Sequence, residues 1–247
     1  MDIKSVLKDI VKHTSGLGII SNVKVIGTAE GTAIAAMDSD KTVILTGKMH
    51  EAVPEFIGEF GMGNLGLLTS LMRLSNYQDT NATIDVIRQE RDEVELPVNL
   101  VFKDAEGGKD QYRFMSSAAI DQAMKVPTFK GASWDVLVAP ETKRIMQLSE
   151  IAGIYSGIDP AFSVTTEDGN LVFNVGSNEG GATGRRVFAE NIEGTLSTTW
   201  SWPLAPFLSV IKLGGDITVQ FSNQGVCQID VDSGLGVYSY ILLALSN

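Results

Sequence analysis

An internal repeat constrains this chain more than any single motif. Residues 64–74 (NLGLLTSLMRL) align with residues 203–213 (PLAPFLSVIKL) at an offset of 139. Leu65, Leu68, Ser70, Leu71, Met72, Arg73 and Leu74 meet Leu204, Phe207, Ser209, Val210, Ile211, Lys212 and Leu213. The same offset sets Lys4, Val6 and Leu7 against Lys143, Ile145 and Met146, and a short linker leads each copy into a strand pattern at 82–86 and 216–219. Recurrence of a whole pattern at one spacing marks a duplicated unit. The spacing predicts two similar α+β domains, each with a helix, two or three alternating strands, a short helix and further strands. The expected division is 1–118 and 134–247, with 119–133 as an interdomain connector. Residues 116–133 carry no long alternation, and Pro127 discourages a helix while biasing Val126 towards extended backbone.

Ile3, Val6, Leu7, Ile10 and Val11 recur at helical spacing as one apolar face. Lys4, Lys8 and Lys12 form a stripe on another face. Strands are expected at 22–26, 33–38 and 43–49, then at 162–166, 171–175 and 186–190, with Asp168-Gly169 as a hairpin turn.

Charge sharpens the question of what those helices do. The chain of 247 residues has 19 basic and 30 acidic side chains, a net charge of −11. Broad nucleic-acid binders draw their affinity from releasing counterions and are usually basic, so the total argues against tight DNA binding. It leaves room for a local basic surface on an acidic body. Each of the four helical segments carries such charge: Lys4, Lys8 and Lys12; Arg73; Lys143 and Arg144; Lys212. On one shared face they would suit loose, sequence-independent contact with phosphates.

Catalytic signals are weak. Residues 61–66 (GMGNLG) match G-x-G-x-x-G, but their flanks read as antiparallel strands rather than strand–helix–strand units, so a glycine-rich turn entering a helix is expected. Residues 176–186 lack the lysine and hydroxyl that complete a phosphate-binding loop and read as a hairpin loop. His13 and His50 sit in no metal or acid–base motif, and residues 90–95 (ERDEVE) read as a solvated loop. The single cysteine, Cys227, forbids an internal disulfide and a multi-cysteine zinc site and points to a reducing cytosol. No run of about 18 apolar residues predicts a membrane span. The first residues mix charge with apolar side chains, unlike a secretory signal. No enzyme activity, metal or cofactor is expected.

Residues 31–45 (GTAIAAMDSDKTVIL) resemble the strand–turn–strand signature of DNA sliding clamps of the proliferating-cell-nuclear-antigen type. Residues 124–127 (MKVP) resemble their connector, and 238–245 (YSYILLAL) their final strand. The opening on a helix, with no strand before it, resembles the clamps of tailed bacteriophages. The resemblance implies a duplicated clamp fold, three copies of which close into a homotrimeric ring with helices inside and antiparallel sheets outside. It implies a processivity factor in the cytoplasm of an infected host cell. That factor encircles duplex DNA, tethers a replicative DNA polymerase and is placed by an ATP-driven clamp loader. Carried over by position, Lys4, Lys8, Lys12, Arg73, Lys143, Arg144 and Lys212 would face DNA. Met37, Lys41, Thr42, Met124, Val126, Pro127, Ile241 and Leu243 would form a partner-peptide pocket, although Lys41 and Thr42 depart from the family's residue types. Gln111, Tyr112, Arg113, Phe114 and Met115 of one copy would pair with Arg186, Val187, Phe188 and Ala189 of the next. Two other readings stand beside this one: a phage tail or baseplate protein, and a dinucleotide-dependent oxidoreductase using the glycines of 61–66.

Overall fold

The computed structural model describes residues 2–91, 94–177 and 181–245. The chain divides into two compact units, Met1–Pro127 with Ser233–Tyr238, and Thr128–Asp232 with Ser239–Asn247.

Unit 1 opens with helix α1 (Ile3–His13). Asp2 starts it by accepting hydrogen bonds from the amides of Lys4 and Ser5, at 3.3 and 3.0 Å, which satisfies donors that a helix N-terminus leaves unpaired. Four strands with inward apolar side chains follow: β1 (Val23–Gly27), β2 (Thr32–Met37), β3 (Val43–Met49) and β4 (Gly58–Met62). Then come α2 (Leu65–Arg73), β5 (Thr83–Arg91), β6 (Val94–Lys103), β7 (Lys109–Arg113), the two-residue β8 (Met115–Ser116) and α3 (Ser117–Ala123). One sheet has the order β8-β4-β1-β2-β3 and a second the order β5-β6-β7, every pairing antiparallel. Phe56, Phe60, Tyr112 and Phe114 meet edge-on or tilted in its core.

Unit 2 contains β9 (Val136–Val138), α4 (Thr142–Tyr155), β10 (Ala161–Glu167), β11 (Asn170–Gly176), β12 (Thr183–Ala189) and β13 (Ser201–Pro203). It continues with α5 (Leu204–Ile211), β14 (Asp216–Ser222), β15 (Val226–Asp232) and the later part of β16 (Gly236–Leu243). One sheet runs β12-β11-β10-β13, and the strands β9-β14-β15-β16 lie side by side in another. Phe162, Phe173, Phe207 and Phe221 form its aromatic core with Trp202.

The order β4-β1-β2-β3 of unit 1 is the order β13-β10-β11-β12 of unit 2. The helices start at Ile3 and Thr142, and at Leu65 and Leu204, so both pairs keep the spacing read from the sequence. The hairpin at Asp168-Gly169 has positive φ at both residues, 51° and 76°, as a two-residue turn of that hand requires.

Three segments differ from expectation. Residues 117–123 are helical: Ser116 Oγ caps α3 by accepting from the Ala119 amide, and buried Ile120 packs where a Cβ on Gly61 would lie, 2.6 Å from it. Pro127 comes after that helix has ended and so does not oppose it. The charge run 90–95 is not a loop along its described length. Glu90 pairs with Glu95 and Arg91 with Val94 at the end of the β5–β6 ladder, and residues 92 and 93 lie outside the described residues. Residues 176–186 are loop only in part. Gly176 closes β11, β12 begins at Thr183, and residues 178–180 lie outside the described residues.

Candidate nucleic-acid interface

Helix α1 packs beside α2 in unit 1, and α4 beside α5 in unit 2. The apolar faces of α1 and α2 are buried through Val6, Leu7, Ile10, Leu65, Leu68 and Leu71, which turns the polar stripe outward. Lys8 and Lys12 are exposed on α1, Arg73 on the last turn of α2, Lys143 at the start of α4, and Lys212 at the end of α5. None of these five makes an ion pair among the described residues. The acid of α1 does not cancel its lysines at the surface. Asp9 is turned inward and accepts hydrogen bonds from Ser233 Oγ and the Tyr238 hydroxyl, at 2.8 and 2.7 Å.

Two of the expected phosphate contacts are committed elsewhere. Lys4 Nζ donates to the carbonyl of Tyr77 at 2.7 Å and is half-buried. Arg144 is bonded to the carboxylate of Glu190. Other cations are likewise spent: Lys24 is held by Glu59 and Asp121, Lys103 by Asp85, and Arg185 by Glu167. Donating hydrogen bonds to the Asp121 and Glu59 carboxylates, and lying in their negative charge, holds the Lys24 ammonium above its ordinary pKa.

The strands expected to join subunits are both outer strands. β7 is last in β5-β6-β7 and β12 last in its sheet, each with a single partner among the described residues. The Phe114 amide donates to the Val98 carbonyl at 2.9 Å, and the register sets Tyr112 opposite Leu100 and Gln111 opposite Val101. In an antiparallel ladder the hydrogen-bonded pairs alternate, so 110, 112 and 114 bond to β6 while the amides of Gln111 and Arg113 point to the open edge. Tyr112, Phe114 and Phe188 are buried and anchor these strands, whereas Gln111, Arg113 and Arg186 are exposed. Met115 and Val187 are half-buried, as is Ala189, which ends β12.

The expected peptide pocket is dispersed between buried and exposed positions. Met124 and Ile241 are buried, at 7% and 2% exposure, and so offer a docking segment little surface. In unit 1, Met37 and Val126 are half-buried and Pro127 exposed; in unit 2, Leu243 is exposed. Lys41 has a left-handed backbone, φ 59°, in the turn after β2. Thr42 is held by Asp38, to which it donates from both its amide and its hydroxyl at 2.8 Å.

Two of the glycines of 61–66, Gly61 and Gly63, are packing positions. Gly61 lies inside β4 opposite Lys24, and a Cβ on Gly63 would stand 2.6 Å from the sulfur of Met115. Sequence reading also missed the neighbour of His13. Asp9 Oδ1 lies 3.7 Å from its Nε2, and the four-residue spacing on one helix was the available signal.

No family model matches this chain, and no curated protein matches it. Solved structures do. The A. fulgidus PCNA with the C-terminal region of FEN-1 bound is 12% identical and superposes with a TM-score of 0.68 over 99% of this chain and 95% of that one. The chain has the duplicated fold of the sliding clamps. PCNA from Thermococcus kodakaraensis gives a TM-score of 0.64 at 10% identity, over 98% of this chain and 95% of the other. A PCNA2–PCNA3 complex from Sulfolobus tokodaii gives 0.67 at 12% identity, over 98% and 97%. The clamp fold accounts for the repeat, for the helix pair in each unit and for the matching strand orders.

Proposed function

We propose that this protein is a non-enzymatic sliding clamp of bacteriophage type, a processivity factor that works in the cytoplasm of an infected host cell. Three copies close into a ring around duplex DNA, an ATP-driven loader opens and places the ring, and the ring tethers the replicative polymerase. The observation that carries this reading is the clamp fold over nearly the whole chain, joined to the open edges of β7 and β12. Unpaired edges invite aggregation unless something covers them, and pairing β7 of one copy with β12 of the next would cover both. Exposed Lys8, Lys12, Arg73, Lys143 and Lys212 supply weak phosphate contact, which suits a ring held by topology rather than by affinity. The strongly acidic remainder, net −11 overall, repels DNA from other surfaces. The tether to a partner peptide rests on the apolar surface of Met37, Val126 and Pro127. The bacteriophage assignment rests on the sequence resemblance.

Light scattering across a wide concentration range tests the ring. The expected mass is three times the 26.5 kDa protomer, falling on dilution. A monomer or dimer at the highest concentration would overturn the reading and bring the structural-protein alternative forward.

A further inference from the structure

Unit 2 contains a slot of about 650 Å³ between residues 134–139 and residues 189–194. Side chains of a strand alternate between its two faces. A cavity that meets every residue of β9 in succession therefore runs along the strand's hydrogen-bonding edge, not above one face. β9 has β14 as its only partner strand among the described residues, so the edge facing the slot is unpaired. The opposite wall begins at Ala189, the last residue of β12, which is the outer strand of the other sheet.

Both walls are fixed. The Asp135 amide donates to the Phe221 carbonyl at 3.0 Å, and its carboxylate accepts from the Asn223 amide at 2.7 Å. The Ile192 amide donates to the Gly169 carbonyl at 2.9 Å. Positive φ at Asn191 and Gly194, 52° and 88°, bends the second wall back until Gly194 abuts the Asp135 carbonyl, where no Cβ would fit. The slot is closed at that end, and beyond it Leu137 stands 59% exposed. Its charged lining residues are Asp135, Glu190 and Glu193; Glu190 is bonded to Arg144, which leaves the Asp135 and Glu193 carboxylates without an ion pair among the described residues.

We propose that this slot takes an extended, basic segment of a partner protein as an added strand on β9. The unpaired edge supplies main-chain hydrogen bonds, Leu137 an apolar contact, and the Asp135 and Glu193 carboxylates favour lysine or arginine in the bound segment. Fixed walls keep the ordering cost on the peptide side. The acidic lining disfavours nucleic acid, and a second copy of a chain with net charge −11 is a poor electrostatic match. The site shares only Ala189 with the strand assigned to ring closure, and every residue lining it belongs to unit 2.

The probe is a fluorescein-labelled eight-residue peptide of alternating lysine and valine, with an alternating glutamate–valine peptide as control. Both are titrated onto the full chain by anisotropy, with amide hydrogen exchange measured in parallel. The lysine peptide is expected to bind, to weaken with salt, and to slow exchange at 136–138, while the control does not bind. Glu193→Lys, at an exposed position, is expected to weaken binding about tenfold without altering the fold. Absence of binding at millimolar peptide would overturn the proposal, as would binding that leaves exchange at 136–138 unchanged. Slow exchange there that grows with protein concentration alone would also overturn it, because a second copy would then be the occupant.

Discussion

The imidazole of His13 lies flat on the ring of Tyr238, with centroids 4.0 Å apart and planes within 12°. Both side chains are fully buried, and Asp9 joins them by accepting from the Tyr238 hydroxyl at 2.7 Å. Burial lowers the His13 pKa from 6.5 to about 4; Asp9 pulls it upward and Lys12 pushes it further down. The unfolded chain therefore binds a proton at this position between about pH 6.5 and 4, where the folded one does not. Stability is expected to fall as pH drops through that window, by a few kcal/mol at most, and to change no further from this group below it. Urea midpoints at pH 7.0, 5.5 and 4.5 check this, and His13→Phe is expected to flatten the slope over the same interval.

The turn after β2 depends on one carboxylate. Asp38, 7% exposed, accepts from the Thr42 amide and hydroxyl at 2.8 Å and from the Val43 amide at 2.7 Å. Asp38→Ala would leave these donors without their acceptor and is expected to cost about 2–3 kcal/mol, read as a lower thermal midpoint. Lys41→Gly in the same turn relieves a left-handed φ of 59° and is expected to raise stability by up to about 1 kcal/mol.

What the sequence made legible follows from where the physical signal is local. The four helical segments whose helices begin at Ile3, Leu65, Thr142 and Leu204 were readable as helical because apolar spacing is carried by neighbours along the chain. The β2 and β3 strands were readable for the same reason. Helix α3 was hidden because its cap, Ser116, and its one buried residue, Ile120, acquire meaning only against Gly61. β9 escaped notice because three residues of β-branched and aliphatic type give no period. Among the site residues, the basic content of the helices was legible. The diversion of Lys4 to Tyr77 and of Arg144 to Glu190 was not, since both partners are remote in sequence.

That diversion separates the cations into two groups. Replacing Lys8, Lys12, Arg73, Lys143 and Lys212 by glutamate is expected to abolish loader-dependent processive synthesis while leaving the thermal midpoint nearly unchanged, since all five are exposed. Arg144→Ala alone is expected to leave synthesis within about twofold, because its charge is already spent on Glu190. Primer extension on circular DNA at moderate salt reads both. Unchanged synthesis by the fivefold variant would show that DNA lies against another surface.

The proposed ring closure would place its demand on the backbone of β7, and proline can remove one part of that demand without touching the rest. The amides of Tyr112 and Phe114 point to β6, while that of Gln111 points to the open edge. Gln111→Pro deletes an outward donor and leaves the β6 ladder intact, as edge strands tolerate. Its exposed side chain packs against little, so Gln111→Ala is expected to assemble as the parent does. The proline variant is expected to fold, shown by an unchanged far-ultraviolet circular dichroism spectrum, yet to scatter light as the 26.5 kDa protomer at concentrations where the parent is three times heavier. If the proline variant kept the parent's mass, β7 would not be the joining edge. The exposed side chains of β12 would then have to meet some other strand.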